Sequence, residues 1–538
     1  MEADAAGPLN TASSAWSFGA AVVLVLGLGL GWWLMNVVNN LWLRPRRVEK
    51  LLREQGLGGN PYRLFFGDLK DIKKMREAST SQAMSSLSND IVPRVLPDVH
   101  RAVTDYGKKC FLWFGARPAV IITDPEAVKE IFSKSFNYPK PPRNPRIKVL
   151  TRGVATYEGD KWAKHRKLIT PAFHLEKLKH MVPSFHLSCA DMLSLWEKII
   201  PDNGSRELDV WPYIQTMTSD AISRTAFGSS YEEGRRVFEL QKVQAAYVME
   251  ALRSVYIPGM RFLPTKSNRR MEQIVKEVET TLLRVIKKRM QAIEAGESSG
   301  QDLLGLLLES NFREIKEQGH KHGMSLQEVI EECKLFYFAG QDTTATLLTW
   351  TMVLLSKHPA WQSRAREEVR QVLGGRQNLE HQDLNQLKVM TMIFYEVLRL
   401  YPSIPLFHRI TCRDSTLGGL QIPSGVQLLV AAPLLHRDKE IWGDDVLEFN
   451  PERFSEGVSK ATNAQAIYIP FGAGPRLCIG QNFAMLEAKM AMSMILQGYT
   501  FELSPSYSHA PQIVISLVPQ HGAHLILHKN SSSASASA

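Results

Sequence analysis

The sequence predicts a membrane-anchored protein with one large body that combines long helices with a short run of strands. Three observations predict it. The stretch Trp16–Leu43 carries no charged residue and is long enough to cross a bilayer. A helical pattern from Met324 to about Lys357 would run ~45 Å at ~1.5 Å per residue, enough to cross a whole body. No internal linker is long enough to separate domains in a chain of 538 residues, and 44% hydrophobic residues supply ample core.

Phe18–Met35 is nearly all apolar, against the ~20 residues needed to cross the hydrocarbon core. Met1–Ser17 contains no positive charge, so the basic leader of a cleaved signal peptide is missing. Arg44, Arg46, Arg47, Lys50 and Arg53 follow the span and Glu2 and Asp4 precede it. The positive-inside rule then places the N-terminus in the lumen and the body in the cytosol. The chain divides into a lumenal N-terminus (1–15), the anchor (16–43), a basic stop and glycine-rich hinge (44–61), the body (62–529) and a disordered Ser/Ala tail (530–538). The net charge of +10 is dispersed and accompanied by no nucleic-acid motif, which favours a membrane face or an acidic protein partner. Cysteines 110, 189, 333, 412 and 478 are odd in number and widely spaced, as in a body facing a reducing compartment.

Within the body, Phe111–Phe114 and Ala119–Thr123 read as strands, and Asp124-Pro125 as a helix start with Asp as N-cap. Trp162 and Arg166 share a helix face. Lys161, Lys164 and Lys167 fall on the other side, a candidate basic patch for an acidic partner or a solvated face. Tyr256–Pro264 is apolar and helix-breaking, either a buried loop or a second bilayer contact; Arg269–Lys288 reads as a basic surface helix and Asn311–Gly323 as a charged loop. The long helix opens with a capping box, Ser325 with Glu328, and a staple, Met324 with Val329. Midway it carries Ala339-Gly340-Gln341-Asp342-Thr343-Thr344, whose glycine and paired threonines work against helix propensity and mark a functional site or threonines bonded back to the helix. Glu396 and Arg399 lie at i, i+3 and can pair, ahead of Pro451-Glu452-Arg453-Phe454.

The run Phe471-Gly-Ala-Gly474-Pro-Arg476-Leu-Cys478-Ile-Gly480 makes a tight loop just before a helical pattern that begins at Gln481. The free amides and positive end of that helix favour a thiolate. A fixed thiolate suits a haem iron as axial ligand; a buried structural cysteine is the plainer alternative.

Phe-x-x-Gly-x-Arg-x-Cys-x-Gly, together with W-x-x-x-R, A-G-x-D-T-T, E-x-x-R and P-E-R-F in that order, resembles the signature set of the cytochrome P-450 monooxygenases. The resemblance covers essentially the chain after the anchor. More narrowly, Arg143–Lys148, Gly153–Trp162 and Lys167–His174 resemble the plant secologanin-synthase-like group. The resemblance implies a mainly α fold with a small β region, the cytochrome P-450 triangular prism, preceded by one N-terminal transmembrane helix. It implies haem b between the Cys478 loop and the long helix, with NADPH electrons arriving through NADPH-cytochrome P-450 reductase. Cys478 would be the axial iron ligand. Trp162, Arg166, Arg409 and Arg476 would hold the propionates, and Phe471, Gly474 and Gly480 would shape the loop. Asp342 and Thr343 would organise proton delivery, and Leu335, Phe338, Ala339, Ile404 and Phe407 would wall the pocket. Glu396, Arg399 and Arg453 would form a structural charge network. The implied activity is insertion of one oxygen atom from O2 into a C–H bond of a hydrophobic small molecule, a plant terpenoid of the monoterpenoid, gibberellin-type diterpenoid or triterpenoid kind, at the endoplasmic reticulum membrane. A haem-thiolate isomerase or dehydratase on the same fold, or a non-enzymatic haem-based ligand binder, remains the alternative.

Overall fold

A computed structural model describes residues 11–142, 152–202, 204–228, 231–252, 263–296, 301–374, 376, 379–462 and 467–530. The apolar run forms α1 (Thr11–Val38), which passes through a widened turn at Asn39–Leu43 into α2 (Arg44–Glu54). Val23–Glu54 is, among the described residues, the one helix long and apolar enough to cross a membrane, and its apolar window is not buried in the body. The basic stop is helical, and the widened turn at Asn39–Leu43 lies just ahead of Pro45, which has no N–H to join the helix ladder. The end of the span is tied to the body: Tyr62 Oη donates to the Leu41 carbonyl at 2.7 Å and Arg44 Nη2 to that of Ser424 at 2.8 Å.

A four-stranded sheet sits beside the docked end of the span. Strands β1 (Phe111–Phe114) and β2 (Arg117–Ile121) pair antiparallel, and Asp124 caps the helix that follows through Ala127 N. Strands β3 (Leu406–Ile410) and β4 (Gln427–Ala431) complete it in the order β1-β2-β4-β3, with β2 parallel to β4.

The rest is mainly helical, with a further three-stranded sheet and two short hairpins among the described residues. Around the site lie α3 (Gly159–Ile169), α4 (Val182–Ile199), α5 (Val210–Phe227), α6 (Tyr231–Leu252), α7 (Lys266–Glu294), α8 (Leu303–Gln318), α9 (Leu326–Lys357), α10 (Lys388–Leu400) and α11 (Gln481–Gly498). The charged stretch after Asn311 is helical as far as Gln318. Leu303–Leu308 buries an apolar turn, Glu309 and Arg313 pair along the exposed side, and Gly319 at φ 89° ends the helix. The basic helix α7 buries Ile274, Val278, Leu282 and Ile286, one stripe at a spacing of four.

Helix α9 runs through the centre. Both bonds of the Ser325–Glu328 capping box are made, and Met324 and Val329 are buried beside it. At Gly340 a Cβ would press on the Ile222 side chain of α5, so the missing side chain lets the two helices approach closely. A short hairpin, β5 (Pro511–Ile513) with β6 (Leu517–Pro519), returns to the middle of α9. Of the segment Tyr256–Pro264 only the last two residues are described, and of the tail only Asn530.

Candidate active site

The Cys478 loop is held from within. Cys478 N donates to the Phe471 carbonyl at 2.9 Å, Leu477 N to that of Gly474 and Gly472 N to that of Ile469. Gly474 has φ 64°, and a Cβ there would drive into the Phe132 carbonyl, so this turn takes glycine on both counts. The helix N-terminus follows at Gln481. Burial pushes the Cys478 thiol up, while the Gly480 amide and the Arg166 charge pull it down. Desolvation wins because the loop lies deep in the protein.

Yet Cys478 is accessible. So is Ala339 in the middle of α9, with Thr343 half-exposed one turn on, while both ends of the α9 core are buried. A solvent-reached surface inside a close-packed protein is the wall of a cavity. Thr343 gives its hydroxyl proton to the Ala339 carbonyl at 2.8 Å, leaving acceptor lone pairs for the cavity. Thr344 turns to the other side and faces the buried Glu487 of α11, whose carboxyl burial pushes up. The Asp342 carboxylate turns away from Thr343 and accepts from the Ser516 hydroxyl on the hairpin; burial raises its pKa, against that hydrogen bond and the charge of Lys242.

The expected cations surround the loop. Arg166 Nη1 donates to the Leu477 carbonyl at 2.9 Å. Arg476 stacks on Trp162 at 4.0 Å, donates to the Tyr157 carbonyl at 2.7 Å and pairs with Glu158. Arg409, buried on β3, donates to the neighbouring His408 carbonyl and lies over Phe132 at 5.2 Å. Phe407 packs edge-on against Phe132 and comes close to Gly472 of the loop. Ile404 and Phe338 are half-buried, whereas Leu335 is buried beside Gly153. A sulfur donor on a cavity wall, aromatic neighbours and three guanidinium groups fit an iron porphyrin with its two carboxylates.

Behind the loop lies a buried ionic cluster. Glu396 and Arg399 are both fully buried and joined by two bonds of 2.7 Å. Arg399 also reaches the carbonyls of His436, Val446 and Glu448; Arg453 Nε lies 3.6 Å from Glu396 and its other nitrogen 2.6 Å from Asp445. Because each charge has several partners, the cluster tolerates burial. Sequence reasoning missed His436. Its Nδ1 meets the Arg399 carbonyl at 3.1 Å, and its Nε2 accepts from Ile469 N, two residues before the cysteine loop begins. An acceptor Nε2 makes the ring neutral, and burial with the nearby Arg399 and Arg437 charges pushes its pKa down to about 3. Nothing in the local sequence marks it, since its partners lie 37 and 33 residues away.

The lysines of α3 are each paired with a glutamate. Lys161 and Lys164 meet Glu328 at 2.9 and 3.6 Å, and Lys167 meets Glu314 at 2.7 Å. Helices α8 and α9 thus set two carboxylates against the three lysines.

Comparison with known proteins agrees with this geometry. The family model described as Cytochrome P450 matches residues 92–523. The chain is 56% identical to Cytochrome P450 72A397 of Kalopanax septemlobus, over 92% of this chain and 95% of that one. It is 53% identical to 7-deoxyloganic acid hydroxylase of Catharanthus roseus (93% and 96% covered) and 51% identical to 11-oxo-beta-amyrin 30-oxidase of Glycyrrhiza uralensis (94% and 98% covered). On a match that spans well over half of its length, the protein belongs to the cytochrome P450 family of haem b monooxygenases, whose electrons come from NADPH through a reductase.

Proposed function

We propose that the protein hydroxylates a hydrophobic plant terpenoid while anchored in the endoplasmic reticulum membrane by its N-terminal helix, with residues 1–15 lumenal, residues 62–529 cytosolic and NADPH-cytochrome P-450 reductase as partner. The observation that carries this reading is that the Cys478 sulfur and the middle of α9 are both solvent-reached while the two ends of the α9 core are buried. Two of the relatives carry names for oxidation of 7-deoxyloganic acid and of an oxo-β-amyrin, a monoterpenoid and a triterpenoid, which supports the substrate class. The continuous apolar helix ahead of the body supports the anchor.

When bound, the haem supplies the iron at which oxygen is activated. Cys478 would hold that iron. Arg166, Arg409 and Arg476 would offer donors to the propionates, and Arg476 is fixed for this by Trp162 and the Tyr157 carbonyl. Phe338, Ala339, Ile404 and Phe407 would hold an apolar substrate and exclude water, with Leu335 behind them. Thr343 would hold a water at its free lone pairs, and Asp342, on the side of the helix nearer Ser516 and Lys242, would take up and release protons there as a relay group.

The test begins with the ligand. Reduced protein under carbon monoxide should show the red-shifted Soret band of thiolate-bound haem, and Cys478→Ala should abolish it. Retention of that band with normal haem content would overturn the ligand assignment. Spectral-shift screening of a terpenoid panel, then product analysis with and without NADPH and reductase, tests the reaction. Product formation without NADPH would favour an isomerase.

A further inference from the structure

We propose that Ser516 is a positioning residue for the Asp342 carboxylate, held in place by a strained hairpin tip. The proposal rests on the reading of Asp342 as a proton-relay group. Asp342 lies in the middle of α9 and its carboxylate accepts from the Ser516 hydroxyl. Ser516 is almost fully buried, at 1% exposure, so that hydroxyl has no choice of solvent partner. The residue before it, Ile515, has φ 138°, a backbone conformation that a β-branched residue adopts only when its surroundings impose it.

The surroundings are visible. Leu517 N donates to the Ser403 carbonyl at 3.0 Å, and its own carbonyl accepts from Trp350 Nε1 at 2.7 Å. Ser403 Oγ in turn donates to the Thr343 carbonyl at 3.0 Å. On the other side of the tip, Ile515 packs with Phe338 and Met271 against Ala245 and Val248 of α6. The hairpin is thus fastened to α9 on both sides of Ser516, and the tip closes around Ile515 through Val514 N, which donates to the Ser516 carbonyl at 3.0 Å. Thr343 faces the cavity, so the Ser516 bond holds its neighbouring carboxylate on a different side of the same helix. The charged group felt there is Lys242, exposed on α6. Without the hydroxyl the carboxylate would lose a donor in a buried place and with it a fixed rotamer.

The experiment is a double-mutant cycle on the full-length protein in nanodiscs with reductase and a turned-over substrate. Ser516→Ala should slow NADPH-driven product formation about tenfold or more, the range expected for losing a hydrogen bond to a charged group. Ser516→Thr, which keeps the hydroxyl, should restore it. In an Asp342→Asn background Ser516→Ala should do nothing further, because the residue acts through Asp342. As a readout apart from turnover, the infrared carboxyl band of the resting protein that disappears in Asp342→Asn should shift in frequency in Ser516→Ala. Should Ser516→Ala lose the thiolate carbon monoxide band, Ser516→Cys carries the same cycle with a weaker donor. Wild-type turnover in Ser516→Ala beside a slow Asp342→Asn would overturn the proposal while leaving the relay intact. Additive losses in the double variant would also overturn it. Wild-type turnover in Asp342→Asn itself would instead refute the relay reading on which it rests.

Discussion

Acidification should destabilise this protein through His436, and the size of the effect follows from its surroundings. The ring is fully buried between the Arg399 carbonyl and Ile469 N, and it is neutral because one nitrogen accepts. Its pKa, depressed to about 3 when folded, returns to an ordinary 6.5 in the unfolded chain. Between those values the unfolded state binds a proton that the folded state refuses, so stability is lost as pH falls below the unfolded value and continues to fall towards the folded one. Each pH unit in that window is worth ~1.4 kcal/mol, so going from about pH 6.5 to about pH 5 removes ~2 kcal/mol through this one residue. His436→Gln lowers stability at neutral pH by breaking the bridge, but it removes the titration. The assay is urea unfolding followed by loss of the thiolate carbon monoxide band, for wild type and variant at both pH values. The expected result is a pH-dependent loss about 2 kcal/mol smaller in the variant. Parallel losses in the two proteins would refute the argument, since other buried groups such as His509 titrate alike in both.

Three further outcomes are expected. Thr343→Ala should keep haem and NADPH consumption but release more reducing equivalents as peroxide, measured as product per NADPH, whereas Thr344→Ala, which faces Glu487, should keep its coupling; equal coupling in both would sink the proton-delivery role. Glu396→Gln leaves Arg399 buried with carbonyl partners alone and should cost ~3–5 kcal/mol of unfolding free energy, seen as a lower urea midpoint. Gly474→Ala should reduce haem incorporation per polypeptide, because the φ of 64° and the Phe132 carbonyl both oppose a Cβ; full occupancy would show that the loop tolerates a side chain.

What the sequence determined by itself is whatever depends on neighbours in the chain. The apolar span, the Asp124 cap and the Ser325–Glu328 capping box are local arrangements, and the structure contains each of them. The Glu396–Arg399 pair is likewise three residues apart on one helix and forms as an i, i+3 pair. The cysteine loop is legible because a glycine turn, a cysteine and a helix start must follow one another closely to make it. The tertiary structure decided the rest. It set the balance at Cys478, where desolvation outweighs the Gly480 amide and the Arg166 charge, since burial is a property of the whole body. It paired the α3 lysines with glutamates some 150 residues later in the chain (roughly the separation of Lys167 and Glu314). It brought His436 against Ile469, and Ser516 against Asp342 across 174 residues, contacts that no local period encodes. Hydrogen bonds of that kind depend on where helices and strands pack, and packing is a sum over the whole core rather than a pattern in any one segment.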